Sequence, residues 1–371
     1  MKRILLLALL LLAGAWVAFG LSVRRDRALR RDEAAALRSA APADVRGAYH
    51  VHTTASDGRG SLAEVVRAAR EAGLSFVVVT DHNVRDPERP EYVDGVLVVP
   101  ATEASTRYGH VVALGTPRAL TVAERDGDPL GAIRALGGAA VLAHPFHPRR
   151  PFTGWGAGPW RGFEIVSNDT SWGRVVADRS AGKVVAAALA FPWDPPRAVL
   201  ALADDPADEL ARFDAEVAAA RATGERRRPP RVLLCSADAH GYPSYRAAFE
   251  AFSMHVPVAL RGDAAADAAA VTAALLDGSA ACVFEGVAPA AAVALAPVPG
   301  GALALAVAAP DRTGAAYTLL RDGAPIGRFE PDVAGAGGTF RCPGPCPPGD
   351  YRAEVRRGGR AWIFTNPVTI E

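Results

Sequence analysis

The sequence predicts an α/β fold, either a parallel barrel or a doubly wound sheet. Three observations predict it. Short apolar runs of strand type recur at Tyr49–His52, Phe76–Thr80, Val96–Pro100, His110–Leu114, Ala139–Ala143, Phe163–Val166, Val232–Cys235 and Ala281–Phe284. Most are continuous rather than alternating, as expected of strands buried on both faces. Helical segments lie between several of them, and strands alternating with helices are the pattern of a parallel sheet.

The amino terminus comes first in order. Met1-Lys2-Arg3 precedes an uncharged run from Ile4 to Val23, about the length a bilayer span requires, roughly 20 residues. Residues 1–23 read as a signal anchor, because the apolar residues continue past Ala15. The alternative is a signal peptide cleaved near Ala13-Gly14-Ala15, which would release a secreted protein. The Lys-Arg start and Leu-rich core favour an extracytoplasmic (periplasmic) location for the rest. The arginines after the run (Arg24, Arg25, Arg27, Arg30 and Arg31) argue the other way by the positive-inside rule. Residues 24–46 form a charged, Ala-rich stalk that reads as helical, with Pro42 ending it.

The helix from Ser61 to Ala72 has the clearest signature. Ser61 is a good N-cap, Glu64 completes a capping box and Gly73 ends the helix. Leu62, Val65, Val66 and Ala69 share one face. Further helices are expected at Pro129–Leu136 and about 205–223. After Gly286 the texture changes to short alternating runs between Gly/Pro turns (Ala315–Arg321, Tyr351–Arg356, Ala361–Thr365). Residues 286–371 therefore read as a small antiparallel β-sandwich, following a domain at 47–285.

Bulk properties exclude some functions. Net charge is +1, which argues against a nucleic-acid binder driven by bulk charge. Four cysteines are present. Cys342 and Cys346 share a Pro/Gly turn, open to a local disulfide or to two free thiols.

The chemistry is concentrated at strand ends. His50 and His52 end the first run, Asp81 and His82 follow the second, and Glu103 follows the third. His110 starts the fourth, His144 follows the fifth, and Asp238 with His240 follows "RVLLCSA". In a parallel barrel such ends share one face, where active sites are built. Imidazoles and carboxylates together suit Zn, Mn or Fe. The spacing of His50 and His52 lets both imidazoles reach one ion, since alternate strand residues point the same way. The chain has eight histidines; a lone one is more often a satisfied structural side chain, but six at successive strand ends are not.

In order and flanking strands, "YHVHTTASDG", "VVVTDHN", "ATEASTRYGHVVALG", "VLAHP" and "CSADAH" resemble the motifs of the PHP (polymerase and histidinol phosphatase) superfamily. The likeness covers roughly residues 47–285. It implies a distorted (β/α)7 barrel holding two or three divalent ions. By the resemblance, the ligands and catalytic residues are His50, His52, Asp57, His82, Glu103, His110, His144, Asp238 and His240, with Asp81 supporting its neighbour. A finer resemblance is to the branch containing carbaryl hydrolase, a carbamate-cleaving enzyme.

The expected activity is metal-dependent hydrolysis of a small-molecule phosphoester by a metal-bridging hydroxide. Carbamate, ester or amide hydrolysis is the alternative, and a membrane-tethered, non-catalytic metal-containing module is another. An amidohydrolase is a further rival, but it often needs a bridging lysine, and past residue 2 the chain offers Lys183 alone. Arg107, His147, Arg149 and Asn168 are candidates for binding substrate, the arginines through their bidentate fork. His255 reads as structural. Oligomeric state is not legible.

Overall fold

The computed structural model describes the whole chain except residues 1, 41–43, 228, 311, 313, 329, 332–336 and 341–344. The apolar run and the stalk form one continuous helix, Lys2–Ala40. Ala, Leu and Arg dominate it, and all are strong helix formers. It is long and apolar enough to cross a membrane. Pro42, the expected stop, lies outside the described residues, as does Cys342; Cys346 is disulfide-bonded.

Two sheets carry the strand-end residues. In the first, the strands Ser253–Val256, Val45–Val51, Phe76–Val79, Val96–Pro100 and Glu91–Val93 lie side by side. The second runs Thr102–Thr106, Gly109–Leu114, Ala139–Leu142, Gly162–Val166 and Val232–Cys235. Isolated bridges join the sheets at Val51 with Ala239 and at His82 with Glu103. Both bridges involve or adjoin the expected ligands.

The expected parallel pairing holds for Val45–Val51 with Phe76–Val79 and Val96–Pro100, and for Ala139–Leu142 with Gly162–Val166 and Val232–Cys235. It fails elsewhere. Thr102–Thr106 and Gly109–Leu114 form an antiparallel hairpin, and Gly109–Leu114 is antiparallel to Ala139–Leu142. Ser253–Val256, which the sequence reading missed, is antiparallel to Val45–Val51. The physical reason in the hairpin is chain length. Two residues, Arg107 and Tyr108, connect Thr106 to Gly109, whereas a parallel return needs a crossover of about a dozen. The reversal lets His110, near the start of its strand, share a rim with residues at the ends of parallel strands.

The Leu62–Glu71 helix forms as its signature dictates. Ser61 caps it, the capping box is complete, and Val65, Val66 and Ala69 are buried. Gly73 follows with φ +72°, a left-handed conformation that suits glycine. The insertion after Gly162–Val166 is more helical than expected. It holds Asn168–Ala177, Ala181–Ala190 and Pro195–Leu202 as well as Ala207–Ala222.

The carboxy-terminal residues form antiparallel strands, including Ala315–Arg321, Gly349–Arg357 and Arg360–Thr365. Leu303, Leu305 and Val307 pack with Tyr317, Leu319, Tyr351 and Trp362 in a cluster of their own. This part is not set apart, however. Arg360–Thr365 pairs with Ala281–Val283, so the first sheet runs without a break into the carboxy-terminal strands. Asn366 ties the junction, accepting from Leu233 N at 2.7 Å and donating to Ala280 O at 2.8 Å.

His255 is structural, as expected. Its Nε2 lies 2.8 Å from Glu285 Oε1, which also accepts from Arg46 Nη1 at 2.9 Å and Ser253 Oγ at 2.9 Å. Burial opposes the charge on Glu285, yet Arg46 and His255 hold its carboxyl well below the usual range. Burial also opposes charge on His255, but Asp44 and Glu285 raise it above 6.5. A depressed carboxylate stabilises the fold above its unfolded pKa, and a raised imidazole does so below its own. Both contributions are complete between about pH 4.5 and pH 6.5. The stability gap between wild type and His255→Asn is therefore widest in that window, narrowing as pH rises through the folded pKa of His255. Urea unfolding across pH measures it; a gap independent of pH refutes the charged network.

Candidate metal centre

All nine expected ligands come together. Glu103, fully buried, is the hub. Its Oε2 lies 3.2 Å from His50 Nε2, 3.2 Å from His52 Nε2 and 3.1 Å from His82 Nδ1. Its Oε1 lies 2.9 Å from His110 Nδ1 and 2.8 Å from His144 Nε2. Asp238 Oδ1 is 3.6 Å from both His50 Nε2 and His52 Nε2, and 3.6 Å from His240 Nδ1. Asp57 closes the outer side, 3.5 Å from His82 Nε2 and 3.3 Å from His240 Nε2. Residues almost two hundred positions apart thus meet because strand ends converge.

The backbone is bent to achieve this. His50, His144 and Asp238 all have positive φ, of 68°, 30° and 39°. Each such non-glycine conformation costs of order 1–3 kcal/mol and persists only where its surroundings enforce it. Three together at strand ends mark a place where side-chain direction outweighs backbone comfort.

The donor set suits divalent cations. Glu103 Oε2 is buried with three imidazole nitrogens around it, yet it has no hydrogen bond of good geometry. His82 Nδ1 is likewise buried and unpartnered. Two imidazole nitrogens, His50 Nε2 and His52 Nε2, face each other at 3.0 Å. A buried polar group without a partner is costly, and a cation between these lone pairs removes that cost. Three overlapping ligand groups form: His50, His52 and Glu103; His82, Glu103 and His110; and His52, Asp57, His82 and His240. Nitrogen and oxygen donors without thiolate fit Zn, Mn or Fe.

Electrostatics follow from burial and neighbours. Burial disfavours a proton on His50, but Glu164, Glu103 and Asp238 outweigh it and hold the imidazole well above its usual value. Against the same burial, the hydrogen bond and charge of Glu103 carry His144 up to about 9. His82 goes the other way, to about 4, because burial dominates. Glu103 is held well below the carboxylate range despite burial, first by His50 and then by its hydrogen bonds to His110 and His144.

Neighbouring residues hold the side chains of the cluster in place. Asp81 accepts from Thr53 N and Thr53 Oγ1, both at 2.7 Å, and from Ser56 Oγ at 2.5 Å. It pins the loop that presents Asp57. Ser167 Oγ donates to Asp238 Oδ2 at 2.7 Å. Glu164 is outside the expected ligand set, yet its Oε1 lies 2.6 Å from His50 Nδ1 and its Oε2 accepts from His144 N at 2.8 Å. The available signal was a carboxylate in the wholly buried strand "GFEIV". Loss of such an outer partner typically costs about 10–100-fold in metal affinity or activity. Glu164→Gln is expected to fall in that range by metal titration and turnover. Wild-type affinity in that variant refutes the orienting role.

The cluster opens into a cavity of about 310 Å³, lined also by Arg150, Asn168, Asp169, Trp172 and Tyr242. Of the expected substrate-binding residues, Asn168 alone lines it, and its Nδ2 donates to Ala237 O at 2.5 Å. His147 is fully buried, and its Nδ1 accepts from the backbone of Arg149 and Arg150. It holds a turn, and its Nε2 lies 3.3 Å from Asp169 Oδ2, a residue of the lining. Arg107 stacks over the Tyr108 ring, 4.6 Å from its centroid, outside the cavity lining. Arg149 is also outside the lining, and the neighbouring Arg150 takes the place expected for it. A larger cavity, about 500 Å³, lies against the amino-terminal helix and has no imidazole in its wall. Lys183 is in the Ala181–Ala190 helix, paired with Asp204 and away from the cluster.

The sequence motifs bring His, Glu and Asp side chains together in three overlapping groups that could hold a metal ion. No protein-family model matches the sequence, and no curated protein does. Among solved structures, it is similar to a two-domain protein containing a predicted PHP-like metal-dependent phosphoesterase from Bacteroides vulgatus. Identity is 12%, coverage is 87% of this chain and 95% of that one, and the TM-score is 0.39. It is also similar to an amidohydrolase from Chromobacterium violaceum with bound sulfate and no metal. There identity is 16%, coverage is 36% of this chain and 84% of that one, and the TM-score is 0.23.

Proposed function

We propose that this protein is a metal-dependent hydrolase of PHP type acting on a small phosphoester. One observation carries the reading: five imidazoles surround the two oxygens of buried Glu103, with one of those oxygens unsatisfied. His50, His52, Glu103 and Asp238 would hold the inner cation. His82, His110 and His144 would share Glu103 toward a second, and Asp57 with His240 would serve an outer ion. When bound, such ions acidify a water for attack and stabilise charge on substrate oxygens. The chain's own contribution is positional. Glu164 orients His50, Ser167 holds Asp238, and Asp81 fixes the Asp57 loop. Burial of Glu103, His50 and His52 excludes bulk water from the inner face, while His82, His110 and His240 remain partly open to the cavity.

We read the two bridged sheets as the distorted (β/α)7 barrel of residues 47–285, and residues 286–371 as a β-sandwich continuing its first sheet. Residues 1–23 would anchor the protein in a membrane, with the catalytic part on the extracytoplasmic side. The buried disulfide between Cys235 and Cys282 favours that side, since disulfides persist in oxidising compartments.

A second reading, hydrolysis of a carbamate or neutral ester, has an observation in its favour. Arg150 is the cationic side chain of the arginine or lysine type lining the cavity, and Asp169 pairs with it at 2.8 Å. A rim so neutralised gives a dianionic phosphate little charge to grip. Metal analysis with a panel of phosphomonoesters, phosphodiesters and carbamates, on wild type and His52→Ala, tests both. Turnover of phosphoesters lost in His52→Ala is the expected result. Carbamate turnover alone establishes the second reading, and a metal-loaded protein inert to the panel refutes the enzyme.

A further inference from the structure

The Ala181–Ala190 helix is built unlike the other helices of the catalytic part. Its sequence, AGKVVAAALA, is apolar all round, yet Ala187 is its one buried residue. Val184, Val185 and Leu189 are 41%, 57% and 55% exposed. Its one charge, Lys183, is tied to Asp204. A helix apolar on every side normally lies in a core or in lipid.

Its neighbour supplies the missing partner. Three residues past its end, after Phe191 and Pro192, Trp193 meets the amino-terminal helix. The rings of Trp16 and Trp193 pack edge to face with centroids 5.0 Å apart. A Cβ added at Gly20 would collide with the Trp193 indole, so glycine permits this approach. Arg27 then pairs with Asp194 at 2.6 Å, and Arg31 with Glu250 at 2.6 Å. Residues 16, 20, 27 and 31 share one stripe of the helix, at spacings of four, seven and four.

The depth of this contact matters. The apolar run ends at Val23. At 1.5 Å per residue, Gly20 lies about 4.5 Å and Trp16 about 10 Å inside that end. Interfacial helices bury their apolar side to about 5–10 Å, and tryptophan concentrates at the same level. Once residues 4–23 occupy a bilayer, Trp193 is at its boundary, and the exposed helix leading into it is alongside.

We infer that the Ala181–Ala190 helix, with Trp193, is a second membrane contact: a monotopic element that seats the catalytic part on the same lipid surface the amino-terminal helix crosses. This rests on the anchor reading of residues 1–23. The occupant is lipid, because the exposed helix leads within three residues to Trp193, which packs on the apolar run at Trp16 and Gly20, and it carries no charge pattern suited to a protein partner.

The test uses the full-length chain in vesicles of phosphatidylcholine and phosphatidylglycerol. A polarity-sensitive fluorophore is attached at Val185→Cys or Leu189→Cys, with Val122→Cys as an exposed control (62% exposed) and Leu10→Cys as a marker of the apolar run. Cys235, Cys282 and Cys346 are disulfide-bonded and do not compete for label. Labels at 185 and 189 are expected to shift to the blue and to be quenched several-fold more by brominated acyl chains than by aqueous iodide. The label at 122 should show the reverse. If 185 and 189 behave like 122 while 10 is lipid-embedded, the second contact is refuted and the anchor stands. If 10 is also open to iodide, the anchor reading fails and this inference falls with it.

Discussion

Glu103→Gln loses bound metal and hydrolytic turnover together, by more than the roughly 10–100-fold that removal of an outer partner costs. The replacement is nearly isosteric, so the fold is retained and the effect is chemical. Glutamine removes the negative charge and turns one of the two oxygens that face five imidazoles into a hydrogen-bond donor. His50 and His144 then lose a carboxylate that opposes their burial. Elemental analysis, turnover and far-UV circular dichroism on the same preparation measure the outcome. A folded variant that binds metal normally and keeps turnover within ten-fold of wild type would show that Glu103 does not organise the cluster.

Removal of the buried disulfide is expected to give the largest loss of stability. Cys235 and Cys282 lie 47 residues apart in sequence with Cα atoms 5.5 Å apart. Closing a loop of that size restricts the unfolded chain by about 4 kcal/mol. The paired variant Cys235→Ala and Cys282→Ala should lose about that much, read as a lower denaturant midpoint. The loss also reaches the site, because Cys235 ends the strand that delivers Asp238 three residues later. Weaker metal binding is therefore expected alongside the lower midpoint. An unchanged midpoint would show that the bond contributes nothing to the folded chain.

The disulfide illustrates a limit of sequence reading. Cys342 and Cys346 are neighbours in the chain, so a local pattern points to them. Cys235 and Cys282 are neighbours only because two strands of different sheets pass close together, and no local pattern records that. Glu164 is a similar case. Its strand is legible as buried, but its hydrogen bond to His50 depends on where the Val45–Val51 strand lies. Arg150 replaces Arg149 at the cavity because His147 turns inward to hold the loop, again a tertiary matter. The error over strand direction was different, since the two-residue turn at Arg107 and Tyr108 was readable and implied a hairpin.

What the sequence determined by itself was the inventory and its local geometry. It held most of the strands and their burial, the capped helix at Leu62–Glu71, the long apolar helix, and a recurring set of His, Asp and Glu side chains at strand ends. These follow from short-range rules: periodicity, capping and alternation act over a few residues. The tertiary structure decided how those ends converge. It placed five imidazoles around one carboxylate, strained three backbones to aim them, and joined the carboxy-terminal strands to the first sheet. It also set Trp193 against the apolar run, leaving a bare helix beside it. Such contacts join residues tens to hundreds of positions apart, where the energy lies in packing between elements and no local preference encodes it.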